Sequence, residues 1–243
     1  MDEGISPARQ DDLDPAWRPV RRLDPEFADA YQRMADVPRR TGHLTPRVKA
    51  FVGLAVDANV THLEPEGIRR HVREALAAGA TPAEVLEVLE CAATVSVHAL
   101  NVGAPVLRRV LADRGQCAAP AELSPRQRAL KDEFTRRRGY WNPTWEAVLE
   151  LAPDMFEAYT DFSAHPSRRG NLSALERELI YIAFDTSATH LYPVGLELHI
   201  ENALDHGATA AQVVEVMEIA ALIGAKAVTV GAAILDEELD LPR

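Results

Sequence analysis

Apolar positions along this chain recur at helical spacing. Ile68, Val72, Ala75 and Leu76 form one stripe, and Leu196, Ile200, Ala203 and Leu204 form another. No run of alternating β-branched residues reads as a strand, and aromatic residues are few. The pattern predicts an all-α protein. A first helix is expected over about 25–36 and again over 153–164. A second starts after Thr45 and Ser173, both good N-cap residues, and runs to about Asp57 and Asp185. A third covers about 65–78 and 193–206. Gly79 and Gly207 then stand where a left-handed residue ends a helix. Thr81-Pro82-Ala83-Glu84 reads as a capping box with proline at N1, and Thr209 to Gln212 repeats it. A fourth helix of about 25 residues follows, apolar on most sides, and is predicted to be the buried centre of each unit.

Those paired boundaries come from a duplication. At an offset of 128 residues, 14–107 aligns with 142–235 without a gap, and 36 of 94 positions are identical. Pro15 pairs with Pro143, Trp17 with Trp145, Tyr31 with Tyr159 and Gly42 with Gly170. Two copies make either two similar domains or one pseudo-two-fold domain. The expected organisation is a disordered tail at 1–13, a first repeat at 14–111, a connecting segment at 112–141 and a second repeat at 142–239.

Composition narrows the partners. With 26 Lys and Arg against 37 Asp and Glu among 243 residues, the net charge is −11, which disfavours nucleic acid and anionic lipid. No run of 18 apolar residues is seen and the acidic N-terminus lacks the apolar core of a signal peptide, so a cytoplasmic protein with no membrane partner is expected. Two cysteines, Cys91 and Cys117, cannot build a disulfide framework or a four-thiolate zinc site. Phosphate-loop, Gly-x-Ser-x-Gly and His-Glu-x-x-His motifs are missing, which argues against nucleotide chemistry and serine or zinc hydrolysis.

The histidines carry the candidate chemistry. His71 falls about 60° from Ile68, on the edge of the apolar stripe of the third helix, and His199 occupies the same place in the second copy. A half-buried imidazole there can act as acid or base, or can bond a backbone carbonyl at a helix junction. His62 and His190 lie in the preceding Thr-His-Leu loop and could face the same cavity, or could satisfy helix ends. His62 and His71 with Glu64 or Asp57 would also make a metal-binding set, but no His-x-x-His or His-x-x-x-His pair supports it, and neither metal nor cofactor is expected. The copies differ around these positions. Arg69, Arg70 and Arg73 become Glu197, Leu198 and Glu201; Ala50 becomes Glu178; Cys91 and His98 become Ile219 and Lys226. Two sites need not be equivalent, and the arginines read most simply as a solvated face.

The segment Glu178-Leu179-Ile180-Tyr181-Ile182-Ala183, followed by His199…Ala203-Leu204…Gly207-Ala208-Thr209…Gln212, resembles the carboxymuconolactone decarboxylase and AhpD-like superfamily. The first copy repeats the tail of that pattern from His71 to Glu84. The resemblance covers both repeats and implies the AhpD-like helical fold. The peroxidase branch places Cys-x-x-Cys where this chain has Glu64 and Gly67, and Tyr192 and Gly195, so disulfide-relay chemistry is not expected. The spacing after Glu178 is also two residues longer than in the peroxidase pattern. The remaining branch implies a cofactor-free lyase or isomerase acting on a small carboxylated lactone or related metabolite. His71 and His199 are then catalytic candidates, and His62, His190 and Glu178 substrate-binding candidates. Tailoring of another small metabolite, or a non-catalytic binding role, stays open. Relatives with one copy commonly form rings of six, so a homo-oligomer of fused chains is implied: a trimer first, a dimer second.

Overall fold

The computed structural model describes residues 14–116 and 122–239, and these contain helices and turns with no strand. The tail expected at 1–13, and Cys117, lie outside the described residues. In the first half, α1 (Arg18–Leu23), α2 (Pro25–Arg40), α3 (Pro46–Asp57), α4 (Pro65–Ala77), α5 (Pro82–Ala93) and α6 (His98–Asp113) follow one another. α7 (Pro125–Arg138) connects to α8 (Trp145–Leu151), α9 (Pro153–Ser163), α10 (His165–Arg169), α11 (Ala174–Asp185), α12 (Pro193–Asp205), α13 (Ala210–Ala221) and α14 (Ala225–Glu238). The second half repeats the order of the first. The one break in the match is that the long α2 is answered by two shorter helices, α9 and α10.

Local chemistry sets the ends. Thr45, Thr81, Ser173 and Thr209 each accept a backbone N–H at the start of α3, α5, α11 and α13. Gly79 and Gly207 take a φ of +88°, which a side chain would strain. The expected fourth helix is two helices. A 3₁₀ turn at Thr94–Val97 separates α5 from α6, and Leu222–Gly224 separates α13 from α14. Its second part is not buried: on α6 only Asn101 and Ala104 are, while Val102, Val106, Leu107 and Val110 face out. The buried centre is instead the second helix, with every residue of 50–57 and 178–185 inside.

Followed through their 3₁₀ turns, Pro82–Asp113 and Ala210–Glu238 reach mean hydropathies of 1.4 and 1.7 over 18 residues. By length and composition both are long and apolar enough to cross a membrane, although neither is one uninterrupted apolar run. The first parts of both carry core residues, such as Val88 and Cys91 on α5 and Val216 and Ala220 on α13.

The two halves share one core. α3 packs on α11, α5 on α11 and α13 on α3, and a single apolar cluster runs from Leu44 to Ile223. Of the two arrangements open to a duplication, the chain takes the single pseudo-two-fold domain. The hydroxyls of Thr61 and Thr189, 128 residues apart, meet at 3.0 Å, which marks the pseudo-axis. Buried carboxylates tie the halves. Glu215 accepts from Thr41 (2.8 Å), the Leu44 amide (2.9 Å) and Lys49 (2.7 Å); Glu87 accepts from the amide and side chain of Asn171 (both 2.9 Å) and from Arg177 (3.2 Å). Arg47 pairs with both Glu84 and Glu176.

Candidate functional site

α3 and α4 build the first site. Asp57 closes α3, and its carboxyl lies under the start of α4, where Gly67 leaves room for it. One turn further along, His71 points across to α3 at Gly53; a Cβ at Gly53 would meet the imidazole at 2.4 Å. His71 Nδ1 lies 2.8 Å from the Glu74 carboxylate, and Nε2 lies 3.3 Å from Asp57 and 3.2 Å from Arg70 Nη2. Burial is the largest single influence on the imidazole and lowers its pKa, but the bonds to Asp57 and Glu74 more than offset it. The net pKa is raised above the ordinary histidine value. The same contacts, with Lys226 and Arg70, overcome burial at Asp57 and hold its carboxyl below the usual range.

His71, Asp57, Arg70 and Glu74 open on a cavity of about 760 Å³. Its far wall comes from the other repeat, through Ile223, Lys226 and Thr229, and its rim from the turn before α1 and from α2, through Trp17, Tyr31 and Arg39. Trp17 and Tyr31 stack at 4.2 Å. Lys226 reaches across from α14 to Glu64 at 2.6 Å. Arg70 therefore faces this cavity and pairs with Asp14 at 2.8 Å, whereas Arg69 and Arg73 are the solvated arginines the sequence suggested.

The second site keeps the histidine and the aspartate, His199 and Asp185, but has little space. The void beside His199 holds about 40 Å³. Tyr181 replaces Gly53 and lies 4.6 Å from the His199 ring, and Glu178 replaces Ala50 and bonds His199 Nδ1 at 2.6 Å. The two extra residues in the spacing after Glu178 thus do not keep it from the histidine. Arg138, at the end of α7, donates to the Ser163 carbonyl (2.9 Å) and the Tyr140 hydroxyl (3.1 Å), with its guanidinium over the Tyr181 ring. Among the described residues no side chain does this in the first repeat; the matching position, Gln10, lies outside them.

The loop histidines stand beside the carboxylates rather than in either cavity wall. His62 Nε2 is 3.5 Å from Asp57. His190 Nε2 meets His98 Nδ1 at 2.7 Å, with Asp185 3.8–3.9 Å from both. Leu63 and Leu191, next in sequence, take φ of +44° and +41° to turn these loops. Burial pushes the Asp185 carboxyl up to about 8, with Glu178 adding to it. Burial, then the neighbouring His190 and His199, pushes His98 down to about 3.

The family model for "Carboxymuconolactone decarboxylase family" matches residues 25–112 and 153–237. The chain belongs to the carboxymuconolactone decarboxylase family. A crystal structure from Burkholderia xenovorans LB400, named as a "putative gamma-carboxymuconolactone decarboxylase subunit", superposes with a TM-score of 0.91 at 48% identity, covering 94% of this chain and 92% of that one. No curated protein matches the chain. Within the decarboxylase family frame, Glu64 and Gly67 stand in the Cys-x-x-Cys place, and Glu64 is engaged by Lys226. Cys91 is buried in the core and its thiol is pushed up to about 12, chiefly by burial. Sequence reasoning missed Gly53 and Glu74; it placed Asp57 beside the histidines only as a metal ligand, and noted Lys226 only as the counterpart of His98. The Gly53-to-Tyr181 change is visible in the aligned repeats and becomes informative once the ring it touches is known.

Proposed function

We propose that the first-repeat cavity is the working site, and that it carries cofactor-free decarboxylation or isomerisation of a carboxylated lactone or similar acidic metabolite. The observation that carries this is the His71 imidazole, flanked by two carboxylates, on the wall of a 760 Å³ space whose counterpart in the second repeat is filled. That volume lies in the range of metabolite sites.

Loss of CO₂ from such a lactone breaks one C–C bond and sends its electron pair into the conjugated carbonyl as a dienolate. A proton must then reach carbon. With its pKa raised, His71 is an imidazolium over more of the neutral range than a free histidine, and it is the proposed donor. Glu74 is half exposed and lines the same space. An entering substrate displaces it and exposes the Nδ1 proton. Arg70 and Lys226 face the cavity from opposite repeats and offer the positive charge that a carboxylate and a dienolate oxygen need. His62 acts through Asp57 as a positioning residue. In this reading His199, His190 and Glu178 serve the closed site and do not turn over substrate. CO₂ release from γ-carboxymuconolactone and from larger lactone acids, compared between native protein and His71→Gln, tests the proposal. Equal activity in both overturns it.

The exposed apolar faces of α6 and α14 fit a second copy of the chain, with Val106 and Leu107 on one and Val230, Ile234 and Leu235 on the other. The expected assembly is a trimer, with a dimer as the other outcome, and light scattering that found a lone chain of 26.7 kDa would refute both.

A further inference from the structure

The two buried aspartates are related by the repeat, but their surroundings carry different charge. Asp57 has His71 at 3.3 Å, His62 at 3.5 Å and Arg70 at 3.8 Å, with the Lys226 ammonium close by. In the second repeat Leu198 stands for Arg70, and His98 for Lys226. His199 is turned to Glu178. Asp185 is thus fully buried, and neither of its carboxylate oxygens has a hydrogen-bond partner. A buried carboxylate without a fixed cation must either take up a proton or be met by positive charge. What faces it is a pair of imidazole nitrogens, His98 Nδ1 and His190 Nε2, and these three donor atoms all lie within 4.8 Å of one another.

We propose that His98, His190 and Asp185 bind a divalent first-row metal ion, zinc in the first instance. Two imidazoles and one carboxylate are a common donor set for such ions. Tetrahedral ligation at about 2.0–2.1 Å sets donor atoms roughly 3.3 Å apart. The imidazole nitrogens must open from 2.7 Å and the carboxylate must close from 3.8–3.9 Å, each by about half an ångström, within the reach of small side-chain rotations. Tyr192 stacks on His98 at 3.9 Å and fixes the plane of that ring. His98 also borders the 40 Å³ void, which is large enough to hold a water. The ion supplies in the second repeat the charge that Lys226 and Arg70 supply in the first. It does not depend on which cavity turns over substrate.

The test uses the full chain, stripped with a strong chelator and titrated with Zn²⁺, with Co²⁺ as a spectroscopic probe. One ion per chain is expected, with visible Co²⁺ absorption of a four-coordinate nitrogen–oxygen site. Zn²⁺ at a hundredfold excess over Kd should raise Tm by roughly 5–10 °C. His98→Ala and His190→Ala should each weaken Co²⁺ binding by about 100-fold or more, while His62→Ala in the first repeat should leave it unchanged. If the histidine variants fail to fold, the near-isosteric Asp185→Asn carries the test. Absence of binding by the native chain at micromolar metal, or undiminished Co²⁺ binding in Asp185→Asn, overturns the proposal.

Discussion

Gly53 sets where the His71 ring can lie, so Gly53→Ala should move the ring without replacing any charged residue. The added Cβ would lie 2.4 Å from His71 Cε1, 2.6 Å from Nε2 and 2.7 Å from Nδ1. Ordinary contact begins near 3.4 Å, so the ring must retreat by about 1 Å. It cannot then keep both the 2.8 Å contact to Glu74 and the 3.3 Å contact to Asp57. Losing them leaves burial as the dominant influence, and the imidazole pKa should fall from above the ordinary value toward or below it. On the proposed reaction, a misplacement of this size costs on the order of 10²-fold in kcat/KM. Stability should change less. Alanine inside a helix gains up to about 1 kcal/mol over glycine, against roughly 1–3 kcal/mol for the crowding. The net is a loss of about 0–2 kcal/mol, or a Tm drop of at most about 8 °C for a chain of this size. Imidazole titration by NMR, turnover and calorimetry on the same sample make the assay. A Gly53→Ala protein with a raised Tm, native turnover and an unshifted imidazole would refute the reasoning.

Further outcomes are expected at His71, the cysteines and Glu215. His71→Gln should cut turnover about 10²–10⁴-fold. In the native protein activity should persist to a pH above the ordinary histidine pKa before it falls, because Asp57 and Glu74 raise the pKa of His71. For the same reason the stability His71 contributes should be complete below that ordinary value and fade as pH rises through the raised one; urea midpoints against pH, native versus His71→Gln, read it. Cys91→Ser and Cys117→Ser should keep turnover largely intact, and a large loss in a well-folded variant would point to thiol chemistry after all. Glu215→Ala should destabilise by roughly 3–5 kcal/mol, since it strips the Leu44 amide, Thr41 and Lys49 of a common acceptor; a Tm within 2 °C of native would show that these contacts do not hold the halves together.

The helices were legible because their ends are written in local chemistry. Thr45, Thr81, Ser173 and Thr209 cap, and Gly79 and Gly207 terminate, with no help from distant residues. What the sequence obscured was the split of the fourth helix. The 3₁₀ turns at Thr94–Val97 and Leu222–Gly224 contain neither proline nor a left-handed residue and leave the apolar pattern unbroken. The site was half legible. His71 and His199 stood out through stripe position and repetition. Their partners depend on packing: Asp57 lies 14 residues back on another helix, and Lys226 comes from the opposite repeat. The pairing of His98 with His190 spans 92 residues, so no short spacing motif could announce it.

Each cavity is walled by a helix borrowed from the other half, and this bears on how a doubled gene product can diverge. In a ring of identical single-repeat chains, a substitution at the Gly53 position enters every pocket at once, so bulk that seals one seals all. Joining two copies end to end uncouples them. Tyr181, Glu178 and Arg138 can plug one pocket and brace the shared interior while the glycine-lined pocket stays open. Lys226 then serves the open pocket from a helix whose own repeat has lost its vacancy. Neither half alone would hold a complete pocket, so the asymmetry belongs to the joined chain.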